Sequence, residues 1–367
     1  MKIFIAAGVY FPEIGGPATY VKLLEEELPK RGFSVSVLPF NKVRNFPKIL
    51  RHISYFVLCL GRVSNSDIVY AQDSVSVGLP AMLAAKLFRK RFYLRVGGDY
   101  AWEQGVQRFG VKELLDDFVS RKDYPLVVRI FKMAQSFVAS RADKIIVPSE
   151  YLKKIVLSWG VPKERISVIY SIFDGTEVKE SKETLREKLH IHGELIVSVG
   201  RLVPWKGFQS LIVSFQDVRK RFPDAKLMII GSGPDMNGLV HFVSGSKLED
   251  SVIFTGALPK EEMLSRVKAA DLFVLNTGYE GFSHQLLEVF AQGTPVITTP
   301  SGGNGEMLED GHTGVFVGYN DEKAITQAIL RLLQNDIEAK QMALEAKEIP
   351  LRYSRENMLE GLMRILK

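Results

Sequence analysis

Two glutamates eight positions apart, Glu280 and Glu288, bracket the most chemically informative string in this chain, NTGYEGFSHQLLEVFAQGTPVITT at residues 276–299. A helix starting at Gly281, Phe282 and Ser283 would leave its first amide groups unpaired at the positive end of the macrodipole, a setting that attracts phosphate. Gly281 lets a ligand come close to the backbone. At helical rise the eight residues span roughly 12 Å, which suits a ligand with hydroxyls at both ends and anionic groups between them. Carboxylates repel phosphates, so each glutamate is expected to accept hydrogen bonds from sugar hydroxyls while cations come from elsewhere. Those cations stand in VGRLVPWKG, residues 199–207. There Arg201 can grip phosphate oxygens in a bidentate way and Lys206 supplies a point charge, together enough to neutralise a diphosphate leaving group.

Both strings need the same support. Leu272–Leu275 is an apolar run before a glycine-containing loop, and Leu286, Leu287, Phe290 and Ala291 follow at helical spacing, which reads as strand, loop, helix. Leu195–Val199 precedes the basic string in the same way. Further short runs recur at Lys2–Ala7, Ser34–Leu38, Asp67–Ala71, Phe92–Val96, Lys144–Val147, Lys226–Ile230, Ser251–Phe254 and Val296–Thr298, alternating with helical patterns. Such alternation predicts an α/β protein with parallel sheets covered on both faces. With 367 residues the chain exceeds one ordinary core, so two doubly wound domains are expected, with ligands at the carboxyl ends of their strands.

The set Arg201, Lys206, Glu280 and Glu288, with the trailing GTPVITTPSGG, resembles the donor site of retaining glycosyltransferases of family 4. The likeness extends over nearly the whole chain, through VYFPEIGGPATYVKLLEEEL near the start, IIGSGPD at 229–235, FTGALPKEEM at 254–263 and DGHTGVFV at 310–317. It implies the GT-B architecture: Rossmann-like domains at 1–173 for the acceptor and 174–350 for a nucleotide-sugar donor, facing across a cleft, and a last helix at 351–367 crossing back to the first. It also implies that Glu288 binds the ribose and Glu280 the donor sugar, that the base meets backbone near Thr255, Gly256 and Ala257, and that no metal or other cofactor is required. The activity implied is transfer of a sugar from a nucleotide diphosphate to an acceptor hydroxyl with retention of configuration, in surface polysaccharide or glycolipid assembly. An epimerase or hydrolase of nucleotide sugars, and a non-catalytic nucleotide-sugar-binding protein, are the alternative readings.

Other positions are read more openly. Gly15 and Gly16 precede Pro17 at a helix's first turn; they make either a tight turn or a loop whose backbone approaches the diphosphate and sugar. Asp99, in RVGGDYAWEQ, stands where many members of the resembled family have a histidine. It is expected on a loop, where it orients the acceptor, binds a hydroxyl or accepts a proton, or else it bonds its own backbone as a turn aspartate. Arg95 and Glu103 are lesser candidates for the acceptor region. His284, in the first turn of the donor helix, is either a donor or acceptor contact or a packed histidine. The hinge segment YSIFD, Tyr170–Asp174, departs from the family's usual asparagine-glycine pair.

Charge is divided unevenly. Residues 1–170 hold 26 Lys and Arg against 15 Asp and Glu, a net +11, while the remainder is −5. That asymmetry points to an anionic partner for the first half, such as a lipid-linked acceptor. The stretch 42–62, KVRNFPKILRHISYFVLCLGR, joins basic residues to an apolar run interrupted by Pro47. It is either an interfacial helix on anionic lipid, with Lys86, Arg89, Lys90 and Arg91 adding attraction, or a core helix with a solvated basic start. Zinc spacing and aromatic-basic interleaving are absent, which argues against nucleic acid. The single cysteine, Cys59, leaves no internal disulfide and favours the cytoplasm. The apolar N-terminus runs into a glycine turn and reads as a first strand rather than a signal peptide, and no run reaches the ~18 residues of a membrane span. The expected location is therefore cytoplasmic, with peripheral contact to the inner face of the membrane if residues 42–62 are interfacial.

Overall fold

The computed structural model describes every residue except Pro12, Ile14 and Asp174, and the backbone but not the side chains of Lys48 and Ile49. Asp174 of the hinge segment and the Lys48 side chain therefore lie outside the described residues. The chain divides into two compact units, Met1–Ile169 and Tyr170–Lys367.

Among the described residues, each unit is a six-stranded, wholly parallel sheet flanked by helices. In the first, the strands are β1 (Lys2–Ala7), β2 (Ser34–Pro39), β3 (Ile68–Ala71), β4 (Arg91–Arg95), β5 (Lys144–Val147) and β6 (Ile166–Val168), in the order β2-β1-β3-β4-β5-β6. In the second they are β7 (Leu195–Val199), β8 (Lys226–Ile230), β9 (Val252–Gly256), β10 (Leu272–Leu275), β11 (Val296–Thr298) and β12 (Val315–Phe316), in the order β12-β11-β10-β7-β8-β9. The expected doubly wound α/β class is what the structure has. Two strands went unread: β6, three residues long, and β12, two residues long, each being one of the two edges of its sheet, where a strand can be very short.

The strand sequences explain the layering. All residues of β3, β7 and β10 are buried, as expected of strands with helices on both faces. Successive residues of β7 serve opposite cores: Ile196 joins a cluster with Leu227, Ile229 and Val274, whereas Leu195, Val197 and Val199 join Met228, Ile230 and Phe273. The two-residue period of a strand produces this division.

Handedness decides which helices share a layer. The helix Gly16–Lys30 carries the chain from β1 leftward to β2. The helices Lys48–Val63, Gly78–Leu87 and Leu126–Ser140 carry it rightward to β3, β4 and β5. Right-handed crossovers therefore place those three together on the opposite face of the sheet. Pro47 does not interrupt the basic apolar segment; it sits at the N-cap of the helix Lys48–Val63, where a missing amide hydrogen costs nothing.

Candidate functional site

In the second unit the strand order reverses at β7: the chain moves outward through β8 and β9, then returns to place β10 on the other side of β7. A crevice opens at such a switch point, outside the carboxyl ends of the two strands. Arg201 and Lys206 lie on the connection leaving β7, and Glu280 on the connection leaving β10. Residues 74 or more positions apart in sequence are thereby brought to one edge of the sheet.

The loops are locked to each other. The turn Pro204–Lys206 ends at Gly207, whose φ of 51° lies in the left-handed region, which favours glycine. A Cβ there would stand 2.3 Å from the side-chain nitrogen of Asn276. Asn276 Nδ2 donates to the Gly207 carbonyl at 2.8 Å and to Asn320 Oδ1 at 2.9 Å, and the Gly278 amide donates to the Trp205 carbonyl at 2.8 Å. Thr277 Oγ1 donates to the carbonyls of Trp205 and Tyr279. On the far side, Gly302 has φ 63°, and a Cβ at that position would fall 1.9 Å from the Glu280 carbonyl oxygen. The Gly303 amide donates to that same oxygen at 2.9 Å.

Held this way, Lys206 Nζ donates to Glu280 Oε1, with side chains only 10% and 18% exposed. Cation and carboxylate were expected to act on different parts of a ligand; the structure also pairs them with each other. Arg201 is exposed at the mouth of the same edge, one residue before Leu202, whose amide donates to the Ser232 carbonyl.

The helix expected at the donor site starts later than its sequence suggests. It spans His284–Gln292, with Ser283 as N-cap accepting from the Leu286 amide at 3.3 Å. Gly281 and Phe282 precede it as loop residues, so helical rise covers only the segment from His284 to Glu288 and the 12 Å span does not apply to the whole interval. The reason is capping: Ser competes for the helix's own amides. The Phe282 ring is buried against Tyr170 and Tyr353, with ring centroids 5.3 and 5.0 Å away, so its side chain is committed to packing. His284 Nδ1 lies 3.2 Å from the Ile172 carbonyl, tying the helix to the segment before Asp174. Glu288 is met by a residue that sequence reasoning missed: Lys260 Nζ stands 2.7 Å from Glu288 Oε1. Lys260 opens the helix Lys260–Ala269 after β9, and nothing in its local pattern signals a partner 28 positions later. Gly256 ends β9 with φ 70°, and its carbonyl accepts from the Gly231 amide at 2.9 Å.

In the first unit, Gly15 is the N-cap of the helix Gly16–Lys30, with Pro17 in its first turn. Asp99 does not project from an open loop. It is 1% exposed and caps the helix Tyr100–Arg108, with Oδ1 accepting from the Trp102 amide and Oδ2 from Gln135 Nε2, both at 2.9 Å. Burial pushes its carboxyl above the usual range, against the opposing pull of these donors and of Lys132. The cap was legible, since an aspartate immediately before a helical pattern is a start signal. Arg95, at the end of β4, is 5% exposed with its guanidinium 3.9 Å from the Tyr20 ring centroid, while Glu103 lies in the first turn of the helix Asp99 caps.

A cavity of about 620 Å³ in the second unit is lined by Lys182, Arg186, Asp271, Gly293 and Pro295. It lies at the amino ends of β7, β10 and β11, the opposite end of the sheet from Lys206 and Glu280. Among the described residues no group of three or more His, Cys, Asp or Glu is arranged to hold a metal ion.

Comparison with known proteins follows the same division. The family model described as Glycosyl transferases group 1 matches residues 181–349, and that described as Glycosyltransferase Family 4 matches residues 14–175. The chain is 27% identical over 360 residues to the alpha-monoglucosyldiacylglycerol synthase of Streptococcus pneumoniae, covering 91% of this chain and 78% of that protein. It is 32% identical to the GDP-mannose-dependent alpha-(1-6)-phosphatidylinositol monomannoside mannosyltransferase of Mycolicibacterium smegmatis, over 46% of each chain. Among solved structures, Anabaena Alr3699/HepE in complex with UDP-glucose superposes with a TM-score of 0.80 at 18% identity, covering 100% of this chain and 99% of that one. That likeness concerns the fold.

Proposed function

Because the chain belongs to the group 1 glycosyltransferases of family 4, we propose that it moves a sugar from a nucleotide diphosphate to the hydroxyl of a lipid-linked acceptor, with retention and without a metal. The single observation that carries this reading is the Lys206–Glu280 pair at the switch point between β7 and β10.

In this reading the bond between the sugar's anomeric carbon and the phosphate oxygen breaks, and a bond from that carbon to the acceptor oxygen forms on the same face. The acceptor proton passes to the departing diphosphate, which serves as its own base. Lys206 and Arg201 stabilise the charge that develops on the leaving oxygen. Glu280 holds the donor sugar and keeps Lys206 in place; Glu288, oriented by Lys260, accepts from the ribose. The backbone at Gly281 to Ser283 faces the phosphates, Gly256 lies by the base, and Gly15 and Gly16 present a helix start to the acceptor side. Asp99 acts by fixing the helix Tyr100–Arg108, not by transferring a proton. His284 acts through its link to the Ile172 carbonyl. The lipid-linked acceptor rests on the basic first unit and on the glycolipid named in the Streptococcus pneumoniae relative; with it goes a cytoplasmic enzyme working at the inner face of the membrane.

The test uses the purified full chain with UDP-, GDP- and ADP-sugars, a lipid extract as acceptor and EDTA throughout. One nucleotide released per glycoside formed, with the donor's anomeric configuration kept in the product's NMR couplings, is the expected result. An inverted product refutes retention, loss of turnover in EDTA refutes metal independence, and nucleotide release without a glycoside refutes transfer to the lipid.

A further inference from the structure

Apolar side chains are exposed on the first unit in a pattern that its fold does not require. The helix Lys48–Val63 buries Tyr55, Cys59 and Val63 at 0% exposure, as its core face should. Its other face is also apolar: Leu50, Ile53 and Val57 are 53%, 54% and 58% exposed, at helical spacing. The helix Leu126–Ser140 repeats the pattern, with Leu126, Ile130, Met133 and Phe137 forming an exposed stripe while Val128 and Val138 are buried. Between these two lies the helix Gly78–Leu87, which packs against both and exposes Leu83 and Leu87. Right-handed crossovers place all three on one face of the sheet, so the stripes belong to one layer. Scattered exposed apolar residues are ordinary, but successive stripes on adjacent helices mark an interaction surface.

Charge identifies the occupant. These three helices contain no Asp or Glu, while Arg51, Arg62, Lys86, Arg129 and Lys132 lie along them. Arg89 and Arg141, just beyond two of the helix ends, are exposed, and the Arg141 guanidinium lies 3.5 Å from the centroid of the Phe137 ring. A second copy of the chain would bring the same cations face to face with no carboxylate from these helices on either side. An anionic bilayer accepts both components, the apolar side chains at the acyl boundary and the cations at the phosphates. No described helix is long and apolar enough to cross a membrane.

We infer that the layer formed by the helices Lys48–Val63, Gly78–Leu87 and Leu126–Ser140 is a peripheral docking surface for anionic phospholipid. It deepens the lipid-acceptor reading of the proposed function by giving the protein a means of reaching its substrate in the plane of the membrane. The binding measurement needs neither donor nor turnover, so failure of one reading is distinguishable from failure of the other.

The experiment is co-flotation of the full chain with vesicles of phosphatidylcholine alone or mixed with phosphatidylglycerol. The wild-type chain is expected to float only with the anionic vesicles and to lose this as salt rises. The variant Ile53→Ser/Val57→Ser/Ile130→Ser/Met133→Ser, altered at exposed positions only, is expected to bind more than tenfold more weakly with an unchanged melting temperature. Lys86→Gln/Arg129→Gln, which leaves the apolar stripes intact, is expected to weaken binding about fivefold per charge removed. A control, Ile337→Ser/Leu344→Ser on exposed apolar residues of the second unit, should bind as wild type. Absence of flotation, or equal flotation of the four-site variant and wild type, overturns the inference. So does light scattering that shows a dimer converted to monomer by the four-site variant, which would make a second copy the occupant.

Discussion

Lys206→Ala separates the two jobs assigned to one side chain. With only 10% of Lys206 and 18% of Glu280 exposed, the pair lies between surface ion pairs, worth ~0–1 kcal/mol, and buried ones, where removing one partner costs ~3–5 kcal/mol. Truncating the lysine should therefore cost about 2 kcal/mol, because Glu280 is left in a largely dry loop without its cation. In a unit of this size that lowers the melting temperature by roughly 4–8 °C. Turnover should fall much further, by about 10²–10³, the usual loss on removing one group that stabilises a developing oxyanion. The double variant Lys206→Ala/Glu280→Gln distinguishes these effects. Replacing the stranded carboxylate by an amide of the same shape should recover most of the lost stability and none of the turnover. Calorimetry and single-turnover kinetics on all four corners of the cycle measure both quantities. If the double variant regained activity along with stability, or if the single variant melted early but turned over normally, Lys206 would be a structural residue and the leaving-group assignment would fail.

Three further outcomes follow from the geometry. Gly302→Ala places a Cβ 1.9 Å from the Glu280 carbonyl at φ 63°, so the Glu280 loop must move; a loss of about 1–3 kcal/mol together with weakened nucleotide-sugar binding by calorimetry is expected, and unchanged binding would show that this loop does not hold the donor. Lys260→Ala removes a partly exposed partner of Glu288, so stability should shift by less than ~1 kcal/mol, whereas Glu288→Ala should raise the donor KM about tenfold by removing a charged hydrogen-bond acceptor; equal effects of both on stability alone would argue against ribose binding. The Asp271 carboxyl, which burial alone would raise, is held below the usual range by Lys182, the Leu195 amide and Arg186. Its contribution is thus present above the unfolded carboxylate pKa and lost as pH falls through the depressed folded value. Melting followed from neutral to acid pH should show the second unit losing less stability in Asp271→Asn than in wild type below about pH 4, and parallel curves would remove Asp271 from the account.

How far the sequence carried this reading depends on whether the relevant interaction was local. Among the described residues, strand and helix alternation, the parallel α/β class and ten of the twelve strands follow from periodicity: central strands such as β3, β7 and β10 are apolar throughout because both faces are buried, and the edge strand β2 alternates. The edge strand β12, two residues long, leaves too short a pattern to read, and in β6 the polar Ser167 breaks a run of only three residues. Arg201, Lys206, Glu280 and Glu288 could be named as candidates because each stands in a recognisable string after a strand, and ligands of such folds bind at the strands' carboxyl ends; the structure brings Lys206 to Glu280. Asp99 was misplaced on an open loop although its position before a helical pattern was a cap signal; its burial, and its bond to Gln135 36 positions on, could not be seen. The exposed apolar stripe of Leu126–Ser140 was missed for a related reason: apolar residues fall on more than one face of that helix, and only its neighbours show which face is left uncovered.

Local order along the chain was enough to single out Arg201, Lys206, Glu280 and Glu288 as candidates and to read the strands and helices that hold them. Folding alone decided that β10 returns beside β7, so that Lys206 meets Glu280, that Lys260 meets Glu288, and that three basic helices expose their apolar faces together. These pairings depend on crossover handedness and on glycine-permitted contacts between backbones distant in sequence, which are properties of the assembled sheet and leave no mark on any single stretch of residues.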